Sequence, residues 1–249
     1  MKSQAKPALS ARRLLVRLAL LPAVTSAAWL LLTYHPQPLF RYELQRGNIV
    51  VHARDPIPDE ARAIVDDALQ RIARSPFYDP AQRYHVFLTG RTAWYGLLTG
   101  NAPGSGLTNC WANVFIRRAD VASNRVFAAD GRVKGGERTL TYHLAHELTH
   151  AMTLRRLGWL HWHALAAFQK EGYADYVGMS HTIDLSAERA ALMRGDPRMN
   201  VTSSGLYARY ELLVAYLLKY RQMSPERLLA APLQRARIEA DLRAAVDLD

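Results

Sequence analysis

Two histidines four residues apart, with a glutamate directly after the first, constrain this chain more than any other feature. They lie in the stretch LAHELTH, from Leu144 to His150. On an α-helix, residues four apart are rotated by only about 40° and separated by about 6 Å of rise. His146 and His150 then point the same way and can grip one metal ion. Glu147 lies beside the first ligand and reaches the position where a water would bind. Zinc lowers the pKa of such a water to about 7, and Glu147 can take its proton as it attacks a carbonyl. The five-residue pattern arises by chance in on the order of 1% of chains this long, so it needs partners elsewhere. A catalytic zinc requires a third protein ligand and an open fourth position.

The chain offers a candidate for that ligand. A histidine six residues after His150 would give the metzincin arrangement, but that position is Arg156, and Thr153 stands where that motif has glycine. Further on comes EGYADY, in which Glu171 and Asp175 are four apart and share a helix face. Glu171 is the expected third ligand. Asp175 is expected to accept a hydrogen bond from the free ring nitrogen of a ligand histidine, fixing its tautomer and orientation. His163 is the alternative third ligand. His143 shares the face of His146, but a fourth protein ligand would close the site. His161 and His163 otherwise read as loop or rim residues.

LAHELTHAM followed by FQKEGYADYV resembles the paired motifs of the gluzincin zinc metallopeptidases, in the form found in peptidase-MA-like domains. The second motif there reads P-x-W-x-x-E-G-x-A-x-Y. This chain keeps Glu171, Gly172, Ala174 and Tyr176, and carries Ala166 for the proline and Phe168 for the tryptophan. The strong part of the likeness covers residues 139–180, and a looser one runs from 48 to 220. The G-x-M-E-N signature of the aminopeptidase branch does not occur. The resemblance implies a zincin-like α+β fold, a Zn2+ cofactor and a peptide or protein substrate. It implies an edge strand that holds the substrate backbone, expected at WANVFIRR. It also implies an oxyanion donor at Tyr207 or Tyr210, with Tyr207 the better match; packed helix residues are the other reading of both tyrosines. The alternative function is a catalytically inactive zincin-like domain that binds peptides or partners at a membrane. Glu147 speaks against it, since a binding module needs no general base beside its metal.

The amino-terminal segment adds a second expectation. From Leu18 to Tyr34 the chain runs 17 residues without a charge, after a flank carrying Lys2, Lys6, Arg12, Arg13 and Arg17. Length and flank point to a signal anchor at 18–34, with 1–17 cytoplasmic, the catalytic domain extracytoplasmic and the membrane as a partner. A cleaved signal peptide ending in the small residues of TSAA is the competing reading. Residues 35–47, with HPQP, read as a linker, and 48–249 as one metallopeptidase-like domain. The formal net charge is +10, but without the five flank cations 27 basic residues face 22 acidic ones, dispersed along the chain. No nucleic-acid partner is expected from that footprint. The lone Cys110 excludes an internal disulfide. Nothing in the sequence sets an oligomeric state.

Strands are expected at NIVVHA (48–53), YHVFLTG (84–90) and WANVFIRR (111–118). Between the first two, Ala61, Ile64, Val65, Ala68, Leu69 and Ile72 follow helical spacing. From Thr139 onward the patterns are helical. The expected class is therefore α+β: a small mixed-sheet lobe, then a helical lobe, with a boundary near 130–138 and an amino-terminal membrane-spanning helix.

Overall fold

A computed structural model of the chain describes residues 11–180 and 183–245. Lys2 and Lys6 of the basic flank, and the last residues of the 48–249 domain, lie outside the described residues. Helix α1 (Ala11–Tyr34) leads through a 3-10 turn at Gln37–Leu39 into strands β1 (Tyr42–Arg46) and β2 (Ile49–Ala53). The segment expected as a linker thus carries a strand. Then come α2 (Glu60–Ile72), β3 (Tyr84–Leu88), α3 (Thr92–Thr99), β4 (Gly106–Thr108), β5 (Val114–Ile116) and the short pair β6 (Ala119–Asp120) and β7 (Arg125–Val126). The remaining elements are helical: α4 (Leu140–Leu157), α5 (Trp159–Ala164), α6 (Ala167–Met179), α7 (Leu185–Met193), α8 (Ala208–Ala215), α9 (Pro225–Leu228) and α10 (Arg235–Ala244). Helix α8 runs on into a π-helical turn over Tyr216–Tyr220.

The five-stranded sheet has the order β1-β2-β3-β5-β4. Its centre is parallel, β2 on β3 and β3 on β5, while β1 and β4 run antiparallel at the two edges. Parallel strands are covered on both faces, which is why IVVHA and YHVFL read as nearly continuous apolar runs. Ile49, Val51, Val86, Val114 and Ile116 join the main core with α2 and α4. Phe87 and Phe115 point the other way and pack with Phe40, Tyr95 and Leu98. The expected edge at WANVFIRR is corrected here. Val114–Ile116 is an interior strand, and the edge is β4, the Gly106–Thr108 segment that precedes it.

Helix α4 begins at Thr139, whose hydroxyl accepts from the Tyr142 N–H, and stops at Gly158, with φ at 81°. Every residue from Leu140 to Leu154 is buried. Its threonines tolerate this because they bond within the fold. Thr149 and Thr153 donate to carbonyls four residues back, each at 2.7 Å, and Thr141 pairs with Asn124. Helix α6 crosses α4 on one side and α8 on the other. Gly172 permits the second crossing, since a Cβ there would lie 2.4 Å from the Tyr210 carbonyl oxygen.

The expected membrane-spanning helix is also corrected. Helix α1 covers the segment, yet among the described residues no helix is long and apolar enough to cross a membrane. Pro22, Thr25 and Ser26 interrupt its apolar residues. Its last turns are tied to the domain instead. The Trp29 indole donates to Leu97 O at 2.6 Å, Thr33 is buried, and the amides of Asn109 and Asn113 donate to Thr33 O at 3.0 and 3.1 Å. With the span go the signal anchor, the single-pass extracytoplasmic placement and the membrane as partner.

The α6–α8 contact sets a stability prediction. Gly172→Ala must push the two helices apart against backbone, which is expected to cost about 1–3 kcal/mol. Thermal unfolding of the metal-free protein reads this as a lower Tm; an unchanged Tm would show that the crossing is looser than described.

Candidate metal centre and its cleft

Helix α4 delivers His146 and His150 from one face, as their spacing requires, and α6 delivers Glu171 from across the crossing. These are the described residues whose ligand atoms cluster as a metal site would. The two His Nε2 atoms are 3.2 Å apart, and each lies 3.5 Å from Glu171 Oε2. A tetrahedral zinc with bonds of about 2.0–2.2 Å sets neighbouring donors about 3.3–3.5 Å apart, so the triangle fits that ion. The histidines are almost fully buried and Glu171 is a quarter exposed, which leaves the cluster open towards one side. His163 is exposed, against Trp159 and Trp162, and is not part of it. His161 is bonded to Leu229 O at 2.8 Å.

Behind the ligands stands a fully buried carboxylate. Asp175 Oδ1 is 2.7 Å from His146 Nδ1, so the imidazole presents Nε2 to the cluster. The Tyr142 hydroxyl donates to the same oxygen, and the Arg138 guanidinium donates to Oδ2 at 3.0 Å. Burial would raise the Asp175 carboxyl, but hydrogen bonding to His146 and the charges of His146 and Arg138 pull it below its ordinary value. Burial likewise works against a charged His146, yet Asp175 and Glu171 hold it protonated, up to about 10. The donor set therefore favours positive charge at its centre, as a cation site must.

Glu147 faces edge strand β4. Thr108 Oγ1 lies 2.9 Å from Glu147 Oε2 and 2.7 Å from the Glu147 carbonyl oxygen. The strand comes so close that a Cβ at Gly106 would sit 2.6 Å from Glu147 Oε1. Burial pushes the Glu147 carboxyl above its ordinary value. These side chains wall a cleft of about 320 Å³, with β4 on one side, and Trp162 and Tyr207 among its other residues.

Of the two candidate tyrosines, the structure brings only one to the cleft. The Tyr207 ring stacks 6.4 Å from the His146 ring, and burial raises its phenol to about 12, so it stays a proton donor. Tyr210 is buried behind it, and its hydroxyl accepts from Arg235 at 3.2 Å. Phe168, in place of the tryptophan of the resembled motif, is core. Sequence reasoning missed Thr108, Gly106, Arg138, Tyr142 and Trp162. Only the glycine-rich run before Thr108 hinted at a close approach.

Family models, characterised proteins and solved structures give no match to the chain. The geometry itself matches the gluzincin pattern, His146-Glu147-x-x-His150 with Glu171, able to coordinate zinc. It is that of a zinc-dependent hydrolase active site.

The metal set makes a graded prediction. The purified protein should bind one zinc per chain, and His150→Ala or Glu171→Ala should abolish stoichiometric binding. Asp175→Asn should keep the ion with about 10–100-fold weaker affinity, because it removes no ligand but loosens the orientation of His146. Competition with a chromogenic chelator measures all three; full-affinity zinc in the Glu171→Ala protein would remove Glu171 from the ligand set.

Proposed function

We propose that this protein is a zinc-dependent peptidase that hydrolyses peptide bonds in the cleft between β4 and α4. The observation that carries the proposal is the placement of Glu147, a carboxylate one residue from the first ligand, held by Thr108 and lining the same cleft as His146, His150 and Glu171. When bound, zinc would polarise the scissile carbonyl and acidify a water. His146, His150 and Glu171 would hold the ion, and Asp175 would orient His146. Glu147 takes the proton of the attacking water and can return it to the leaving amine. The Tyr207 hydroxyl, still protonated at neutral pH, would donate to the oxygen on which charge develops.

An extended peptide suits the remaining wall. β4 is the sheet edge, so the side of its backbone turned away from β5 is available to pair with a substrate strand. Its tight fit on Glu147 at Gly106 would bring such a strand near that carboxylate.

Glu147→Gln keeps the shape of the side chain and removes its basicity. Zinc content should be unchanged, peptide binding retained, and hydrolysis lowered by about 10²–10⁴-fold. Undiminished cleavage by the variant would move the chemistry elsewhere. A parent protein that binds peptides and never cleaves them would instead establish a binding module.

Tyr207→Phe separates the oxyanion role from packing. Its kcat should fall by about 10²–10³-fold with KM little changed, as for loss of one oxyanion donor. Tyr210→Phe, which frees only Arg235, serves as the comparison. Equal effects on kcat would assign both tyrosines to packing.

A further inference from the structure

Apart from the metal cluster and Glu147, the charged side chains lining the cleft are Lys134 and Arg138, both cationic. Arg138 is spoken for: it is bonded to Asp175 and lies over the Tyr142 ring. Lys134 is different. Its backbone is fixed, with its N–H donating to Val126 O at 2.8 Å beside the Phe127–Val133 bridge. Among the described residues its ammonium has no carboxylate within ion-pair distance.

Two buried polar groups in the same cleft also lack partners. His143, one turn before His146 on α4, is 7% exposed, and Ser105, just before β4, is 6% exposed. His143 Nε2 and Ser105 Oγ are two of only four buried side-chain polar atoms without a hydrogen-bond partner among the described residues. Buried polar groups are nearly always satisfied, so two orphans beside one cleft call for a ligand. The backbone that carries Ser105 is held in place, because Arg117 donates to Gly104 O at 3.0 Å and to Ala102 O at 2.6 Å. An ammonium, a hydroxyl and a neutral imidazole can all donate. The complementary group is an acceptor with negative charge. A single unpaired cation matches the single charge of a carboxylate better than the near-double charge of a phosphate.

We propose that Lys134, His143 and Ser105 form a specificity subsite for a carboxylate of the peptide substrate, carried either by an Asp or Glu side chain or by the chain's C-terminus. The subsite rests on the peptidase reading for its role, but its binding preference can be measured apart from cleavage. The ligand gives up little to reach it, since the Ser105 hydroxyl and the His143 imidazole are already buried and have no internal partner to lose.

The test uses zinc-loaded Glu147→Gln protein and matched peptides, with cleavage by the parent measured in parallel. One set carries Glu and an amidated C-terminus, a second carries Gln and a free C-terminus, and a third carries Gln and is amidated. One of the first two sets should bind about 10–100-fold more tightly than the third, the scale of a hydrogen bond to a charged group, and which set does so identifies the source of the carboxylate. Lys134→Met should collapse that ratio towards one, Lys134→Arg should preserve much of it, and Ser105→Ala should reduce it. Equal binding of all three sets would overturn the subsite, and cleavage by the parent would then leave the peptidase reading standing. Discrimination in binding with no cleavage by the parent would uphold the subsite and overturn the peptidase reading.

Discussion

The buried contact between Asp175 and His146 is the constraint on which the site depends. It joins the two helices that carry the metal ligands, and it does so with a full charge out of solvent. A buried carboxylate is costly unless its lone pairs are met by donors and its charge by a cation. Tyr142, His146 and Arg138 meet both conditions. Two of the three donors come from α4 and the third from the residue two before it. The first turns of that helix therefore cannot rotate without breaking the network, and the direction of His146 Nε2 is fixed with them. The cost of burying so polar a helix is carried here: α4 is held by one buried charge network and by threonines that bond back along its own backbone.

The site was legible in the sequence where the helix period alone decides geometry. His146 and His150 four apart, and Glu171 and Asp175 four apart, can do little else on helices than present paired faces. The same holds for the halt at Gly158 and for the apolar runs of β2 and β3. What periodicity does not encode is which strand ends up at the edge. VFI has the stronger strand composition, so it drew the assignment, but strong apolar strands belong inside a sheet. The weak three-residue GLT can afford the exposed position, where glycine and threonine are chosen for contact with Glu147 and not for propensity. Arg138, Tyr142 and Thr108 were hidden for a related reason: each acts through a partner far away in sequence, and nothing local marks the pairing.

The amino-terminal segment misled because hydropathy counts residues and takes no account of what they touch. An uncharged run of this length behind a basic flank reads as a span. In the fold the end of that run serves the domain. Thr33 is buried, the Trp29 indole is bonded to the α3 backbone, and the Tyr34 ring packs edge-on against Trp111 at 4.9 Å.

That attachment reaches the catalytic side of the molecule. The last carbonyls of a helix have no partner within it and must be satisfied from outside. For α1, Asn109 and Asn113 do this, donating to Thr33 O and Tyr34 O from the turn between β4 and β5. Asn109 directly follows Thr108, the residue whose hydroxyl meets Glu147. The turn itself is closed by Asn109 Oδ1, which accepts from the Trp111 and Asn113 N–H groups. One short hairpin thus binds a helix end on one side and supports Glu147 on the other. A sheet edge only three residues long has few ladder bonds of its own to hold its position, so the side-chain clasp on α1 supplies rigidity that β4 lacks. The amino-terminal helix, read from sequence as an anchor to something outside the domain, works within it as a brace for the strand that positions Glu147.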